Sequence, residues 1–164
     1  MMKSLLDQPL VPSVLDRLID DDPTVSREAA KSRSLVLREL KQCVRRDLEN
    51  LLNTRWHCKP VPADLGELQL SLVNYGLPDL SGADLGSAEG RQAFCQLVES
   101  VIQKYEPRFK SVVVELVDSV DPADRTLHFR IDALLYAEPA PEPVIFDSSL
   151  EPIGGTVEVR GIGR

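Results

Sequence analysis

The sequence is short of the residues on which catalysis, metal binding and covalent stapling depend. It has two histidines and three cysteines in 164 residues. Cys43, Cys58 and Cys95 are odd in number and widely spaced, with no CxxC pair and no zinc-like set. They fit a reducing cytoplasm, with Cys43 and Cys95 expected as thiols within helical apolar patterns. His57 beside Cys58 is a lone dipeptide, and His128 falls on the polar side of an alternating segment. No GxSxG, HExxH or paired Cys-His pattern is present, and Gly82, Gly86 and Gly90, spaced by four, make neither GxGxxG nor a P-loop. No apolar run approaches the roughly 20 residues of a membrane span, and Met1 to Leu18 lacks the apolar stretch of an export signal. Positive charge is also scarce. Lys and Arg number 19 against 26 Asp and Glu, a net charge of −7. That balance disfavours nucleic acid and anionic membrane surfaces as partners. The expectation is a soluble protein with no catalytic residues, no metal, no cofactor, no nucleic-acid partner and no direct membrane insertion.

What is present is a set of periodic segments. Val14, Leu15, Leu18 and Ile19 form one side of a short amphipathic turn that Asp20-Asp21-Asp22-Pro23 should stop. Such a piece either packs on its own domain or docks into a partner's groove. A long helix is expected from between Thr24 and Ser34 to about Asn53, with Leu37, Leu40, Val44, Leu48 and Leu51 facing the core and an Arg45–Glu49 pair on its surface. Residues 54–88 read as irregular, with Trp56 and 59–62 extended, a helical turn or two within Leu65–Val73, and a turn over 74–79 in which Gly76 takes positive φ. Ser87 should cap a second helix carrying Phe94, Leu97, Val98, Val101, Ile102 and Tyr105, ending before Pro107.

Ser111–Val117 and Leu127–Leu135 then read as an antiparallel hairpin, the second strand turning Leu127, Phe129, Ile131, Ala133 and Leu135 to one side. A proline-rich linker over 138–143 leads to two short strands, 144–146 and 156–160. The fold class is therefore α+β: two main helices packed on a small antiparallel sheet, with extended N- and C-terminal segments. Three regions follow: an N-terminal segment over 1–23, a main domain over 24–150 and a C-terminal tail over 151–164.

The segment Tyr105-Glu106-Pro107-Arg108 stands out at the junction of helix and hairpin. The proline forces Glu106 extended, so the Glu106 and Arg108 side chains project from the same side. The two form either an internal ion pair locking helix to sheet or a fork presented to a partner's carboxylate or carbonyl. Asp47, Glu49 and Glu106 have no spacing that makes them an acid–base pair.

The order of motifs resembles one family. "VRRDLENLLNTR", "SLVNYGLPDL", "YEPRF", "VVVEL", "LHFRIDALLY" and "PEPVIFDSSL" follow one another over about residues 12–150, with "VLDRL" near the start. This succession resembles the TssE proteins of type VI secretion, relatives of the small wedge protein in contractile-tail phage baseplates, a family often labelled lysozyme-like. The resemblance implies a non-enzymatic structural subunit, cytoplasmic at the inner-membrane-docked baseplate, which binds TssF-like and TssG-like wedge proteins and helps start polymerisation of sheath subunits. It implies that Glu106, Pro107 and Arg108 contact the wedge core. Leu15 and Leu18 join them as expected partner-binding residues, and Arg108→Ala should weaken assembly while leaving the isolated fold largely intact. The alternatives are a peptidoglycan hydrolase, which needs two carboxylates facing across a cleft, and a generic cytoplasmic adaptor.

Overall fold

The structure, a computed structural model, describes residues 14–19, 32–56, 62, 64–69, 71–80, 84–117, 126–137, 140–151 and 155–162. Its elements are α1 (Val14–Leu18), α2 (Arg33–Asn53), α3 (Gly66–Gln69), a single 3-10 turn (Leu72–Asn74), α4 (Ala88–Tyr105), β1 (Phe109–Val117), β2 (Leu127–Leu135), β3 (Glu142–Leu150) and β4 (Val157–Ile162). The four strands form one antiparallel sheet in the order β1-β2-β3-β4. The expected α+β class is what the chain adopts. The acidic stop at 20–23, the connection at 57–61 and the hairpin turn at 118–125 lie outside the described residues.

Both long helices begin where a serine supplies an acceptor. Ser32 receives the amide of Leu35, and Ser87 receives that of Gly90 at 3.1 Å. Gly90 is required for a steric reason: a Cβ there would stand 1.8 Å from the carbonyl oxygen of Asp84. α2 lies along β4 and α4 along β1, so the inner face of the sheet is roofed by the two helices. Leu48, Val98, Ile131 and Leu135 are fully buried between the layers, and Phe94 meets Phe129 edge-to-face at 5.4 Å. The helical stripe of α2 is the expected one at Leu40, Val44, Leu48 and Leu51. Leu52 is buried as well, while Leu37, near the start of the helix, is only half-buried.

The second half of the sheet exceeds the expectation. β3 runs for nine residues, straight through Pro143, and the strand expected at 156–160 is β4, with Val157 and Val159 in the core. Proline is tolerated because strand alternation turns its nitrogen toward β4, whose last pair is Ile162 opposite Ile145. Among the described residues no strand stands opposite Pro143 on that side, so no ladder bond there is lost.

Residues 54–56 are zipped to 76–77. The Leu77 amide donates to Thr54 at 2.8 Å, the Trp56 amide donates to Leu77 at 2.9 Å, and the Trp56 indole N–H donates to the carbonyl of Gly76. Gly76 has φ 103°, and a Cβ on it would stand 2.2 Å from the Thr54 carbonyl oxygen, so the positive φ expected there serves a close backbone approach.

Candidate functional site

The end of α4 places a carboxylate inside the protein. Glu106 terminates the helix at φ −117°, its amide donating to Ile102 at 2.8 Å. Pro107 forbids another helical turn, and the chain reverses into β1 with the Phe109 amide bonded to Glu106. At the same point the Tyr136 amide donates to the Arg108 carbonyl at 2.9 Å, tying the start of β1 to the end of β2. Glu106 is only 6% exposed, and a buried carboxylate requires a cation or several donors. Arg108 supplies both. Its Nε donates to Glu106 Oε1 at 2.6 Å, its Nη2 to Glu106 Oε2, and its backbone amide to Oε1 at 3.2 Å.

A third member comes from α2. Arg108 Nη2 also donates to Asp47 Oδ2 at 2.6 Å, bridging 61 residues of sequence. Asp47 in turn faces Arg46 at 3.4 Å, and Arg46 is paired with Asp16 of α1. The result is one continuous chain of alternating charge, Asp16–Arg46–Asp47–Arg108–Glu106, running from the N-terminal helix to the helix–strand junction. Burial alone lowers the affinity of Arg108 for its proton, but its hydrogen bonds to Glu106 and then Asp47, with their charges, override that and raise its pKa. Tyr75 sits close enough that its hydroxyl pKa is raised, first by burial and then by the charges of Asp47 and Glu106. It stacks edge-on against Tyr105, whose hydroxyl donates to the Ser71 carbonyl.

The residues singled out from sequence are thus brought together, though indirectly. Glu106 and Arg108 form the internal pair, and Pro107 projects into solvent. Leu15 and Leu18 are anchored to that pair through Asp16, Arg46 and Asp47. Of the two arrangements open from the sequence, the structure shows the internal ion pair, with Glu106 buried against Arg108. Arg46, Asp47 and Tyr75 were missed as site residues. The signal present for them was the adjacency of Arg46 and Asp47, opposite charges on the less apolar side of α2, but nothing local said which element they would meet.

α1 is inverted relative to an ordinary surface helix. Its apolar residues face outward, with Leu18 76% exposed, whereas the Asp16 side chain is 6% exposed. The other end of the site carries a similar feature in the turn after α3, where Leu72 is 83% exposed and Val73 is exposed beside it. One donor also lacks a partner: Arg108 Nη1 is buried without an acceptor among the described residues. The arrangement suits contact with an apolar partner surface at Leu15, Leu18, Leu72 and Val73, beside a charge cluster closed on itself. It does not suit glycoside hydrolysis, because Asp47 and Glu106 both turn onto one guanidinium instead of facing each other across a water-sized gap. Among the described residues no group of His, Cys, Asp and Glu is placed to hold a metal ion, and no helix is long and apolar enough to cross a membrane.

A family model described as baseplate wedge protein gp25 matches residues 38–140. That span contains most of α2, all of α3, α4, β1 and β2, and the Asp47, Glu106 and Arg108 cluster. A search of curated proteins gave no match.

Proposed function

Because the chain belongs to the gp25 baseplate wedge family, we propose that it is a non-enzymatic baseplate subunit of a type VI secretion system, binding TssF-like and TssG-like wedge proteins. Its place is the cytoplasmic side of the inner membrane, in a baseplate docked there, where it helps initiate polymerisation of the contractile sheath. The observation that carries this reading is the charge chain from Asp16 to Glu106 with outward-facing apolar residues at its two ends. Leu15 and Leu18 have no reason to face water in a finished assembly, and a partner that covers them removes apolar surface worth about 25 cal/mol per Å². The β1 edge of the sheet supports a further contact with neighbouring subunits by strand addition.

Co-purification of the tagged chain with wedge homologues from its own source tests the reading. The informative variant is Leu15→Ser with Leu18→Ser, because both side chains are exposed and their loss leaves the core untouched. A stoichiometric complex with the native chain, weakened in the variant at unchanged melting temperature, supports the proposal. Absence of any complex overturns it. Clearing of a cell-wall suspension, abolished by Asp47→Asn, would replace it with a hydrolase.

A further inference from the structure

The two outer strands of the sheet are finished differently. Along β4 three of the outward-pointing backbone groups, both of Val157 and the carbonyl of Val159, are occupied by α2. The Asn53 carboxamide donates to the Val157 carbonyl at 2.7 Å and accepts from the Val157 amide at 2.8 Å, a two-bond match that copies a neighbouring strand. Arg45 adds a bond to the Val159 carbonyl at 2.9 Å. The outer face of β4 carries Glu158 and Arg160, paired with each other and exposed. Such an edge rejects a further strand.

β1 is closed more lightly. Its outward amides are those of Val112, Val114 and Leu116, since the Val114 amide points away from β2 and strand groups alternate. Among the described residues the side chain on that edge is Glu99 of α4, whose Oε1 accepts from the Val114 amide at 2.8 Å. The outer face beside this edge is apolar where an exposed edge is ordinarily polar: Val113 is 48% and Val117 43% exposed. Between them stands Glu115. It is directly opposite Arg130, Arg130 is opposite Asp147, and Asp147 is opposite Arg160. This row alternates in sign across the whole sheet and ends, on the β1 side, in an unanswered negative charge.

We propose that Glu99 is a latch on the β1 edge, and that the extended segment which displaces it carries a basic residue opposite Glu115 between two apolar residues that cover Val113 and Val117. The occupant is a segment of another protein and not a second copy of this chain joined β4 to β1, because Asn53 and Arg45 already occupy both outward groups of Val157 and the carbonyl of Val159. The inference rests on the reading of the chain as a subunit that takes strands from its neighbours. It adds which edge is used, what holds that edge shut and what charge the incoming strand bears. A strand with lysine at the central position extends the row by one favourable cross-strand pair; a strand with glutamate there meets like charge.

The test uses two capped nine-residue peptides of alternating valine and threonine, one with a central lysine and one with a central glutamate, titrated by fluorescence anisotropy. The native chain should bind the lysine peptide weakly, Glu99→Ala more tightly, and Glu99→Gln, which keeps an acceptor oxygen, close to native. Glu99→Ala should prefer lysine over glutamate by about fivefold, and Glu115→Lys in that background should reverse the preference. Hydrogen exchange at the Val114 amide should quicken in Glu99→Ala and slow again with peptide. Equal binding by native chain and Glu99→Ala, or a preference unchanged by Glu115→Lys, overturns the proposal. Melting temperatures establish that the variants are folded. Wedge co-purification separates the two claims. Peptide capture without a wedge complex supports the latch and removes the assembly role, whereas a wedge complex without peptide capture removes the latch alone.

Discussion

Replacing Arg108 with methionine keeps the aliphatic stem and removes the guanidinium, which isolates the consequences of its charge. Glu106 is then left as a nearly buried carboxylate that has lost both side-chain donors and the cation that pairs with it among the described residues, keeping the Arg108 backbone amide. Breaking one side of a fully buried pair costs about 3–5 kcal/mol. Here the Arg108 side chain is 22% exposed and Asp47 retains Arg46, so water and the second arginine offset part of the loss. The expected destabilisation is about 2–3 kcal/mol, which for a chain of this length lowers the melting temperature by roughly 5–10 °C. Adding Glu106→Gln to Arg108→Met removes the stranded charge, so the double variant should melt above the single one although two native groups are gone. Urea unfolding and thermal melts of the native chain, both single variants and the double variant complete the cycle. Arg108→Met melting within about 1 °C of native, or a double variant no better than the sum of the singles, refutes this account of the cluster.

Gly76→Ala should lose about 2 kcal/mol or more in urea, since it combines a φ of 103° with a Cβ placed against the Thr54 carbonyl; a shift under about 0.5 kcal/mol would show that the 54–56 and 76–77 contact gives way freely. Asn53→Ala removes both bonds to Val157 and should cost about 1–3 kcal/mol while speeding hydrogen exchange at the Val157 amide; unchanged exchange would mean that the edge is sealed by something other than the carboxamide. The Cys43 thiol is pushed up to about 11, first by partial burial and then by its hydrogen bond to Asp16 and that carboxylate's charge. In a Cys58→Ser, Cys95→Ser background it should therefore alkylate more slowly at pH 8 than an unfolded control, and Asp16→Asn should speed the reaction. The sign for stability follows from the same shift: the unfolded thiol ionises first, near 9, so its contribution is complete below that pH and is lost as pH rises toward 11.

Whatever is encoded within a few neighbouring residues was legible in the sequence. Ser87 and Pro107 bracket α4 because a cap and a helix breaker act on the residues beside them. The alternation from Leu127 to Leu135 assigns the faces of β2 because successive strand residues point opposite ways. The conformation of Gly76 could be expected from its turn context, and the Glu106–Arg108 pair from the extended backbone that a following proline imposes. The tertiary structure alone decided what those local pieces meet. Nothing in the spacing joins Asp47 to Arg108 across 61 residues, or Asn53 to Val157 across 104. Those contacts exist because the helices lie along opposite outer strands of one sheet. The same layout explains why Pro143 sits inside a strand, in the stretch beyond the end of β4, and why 157–162 is core and not tail. It also explains why α1 shows its leucines to water: Asp16, held by Arg46 and Cys43 of α2, fixes which side of that short helix turns inward, and hydrophobic periodicity carries no information about it.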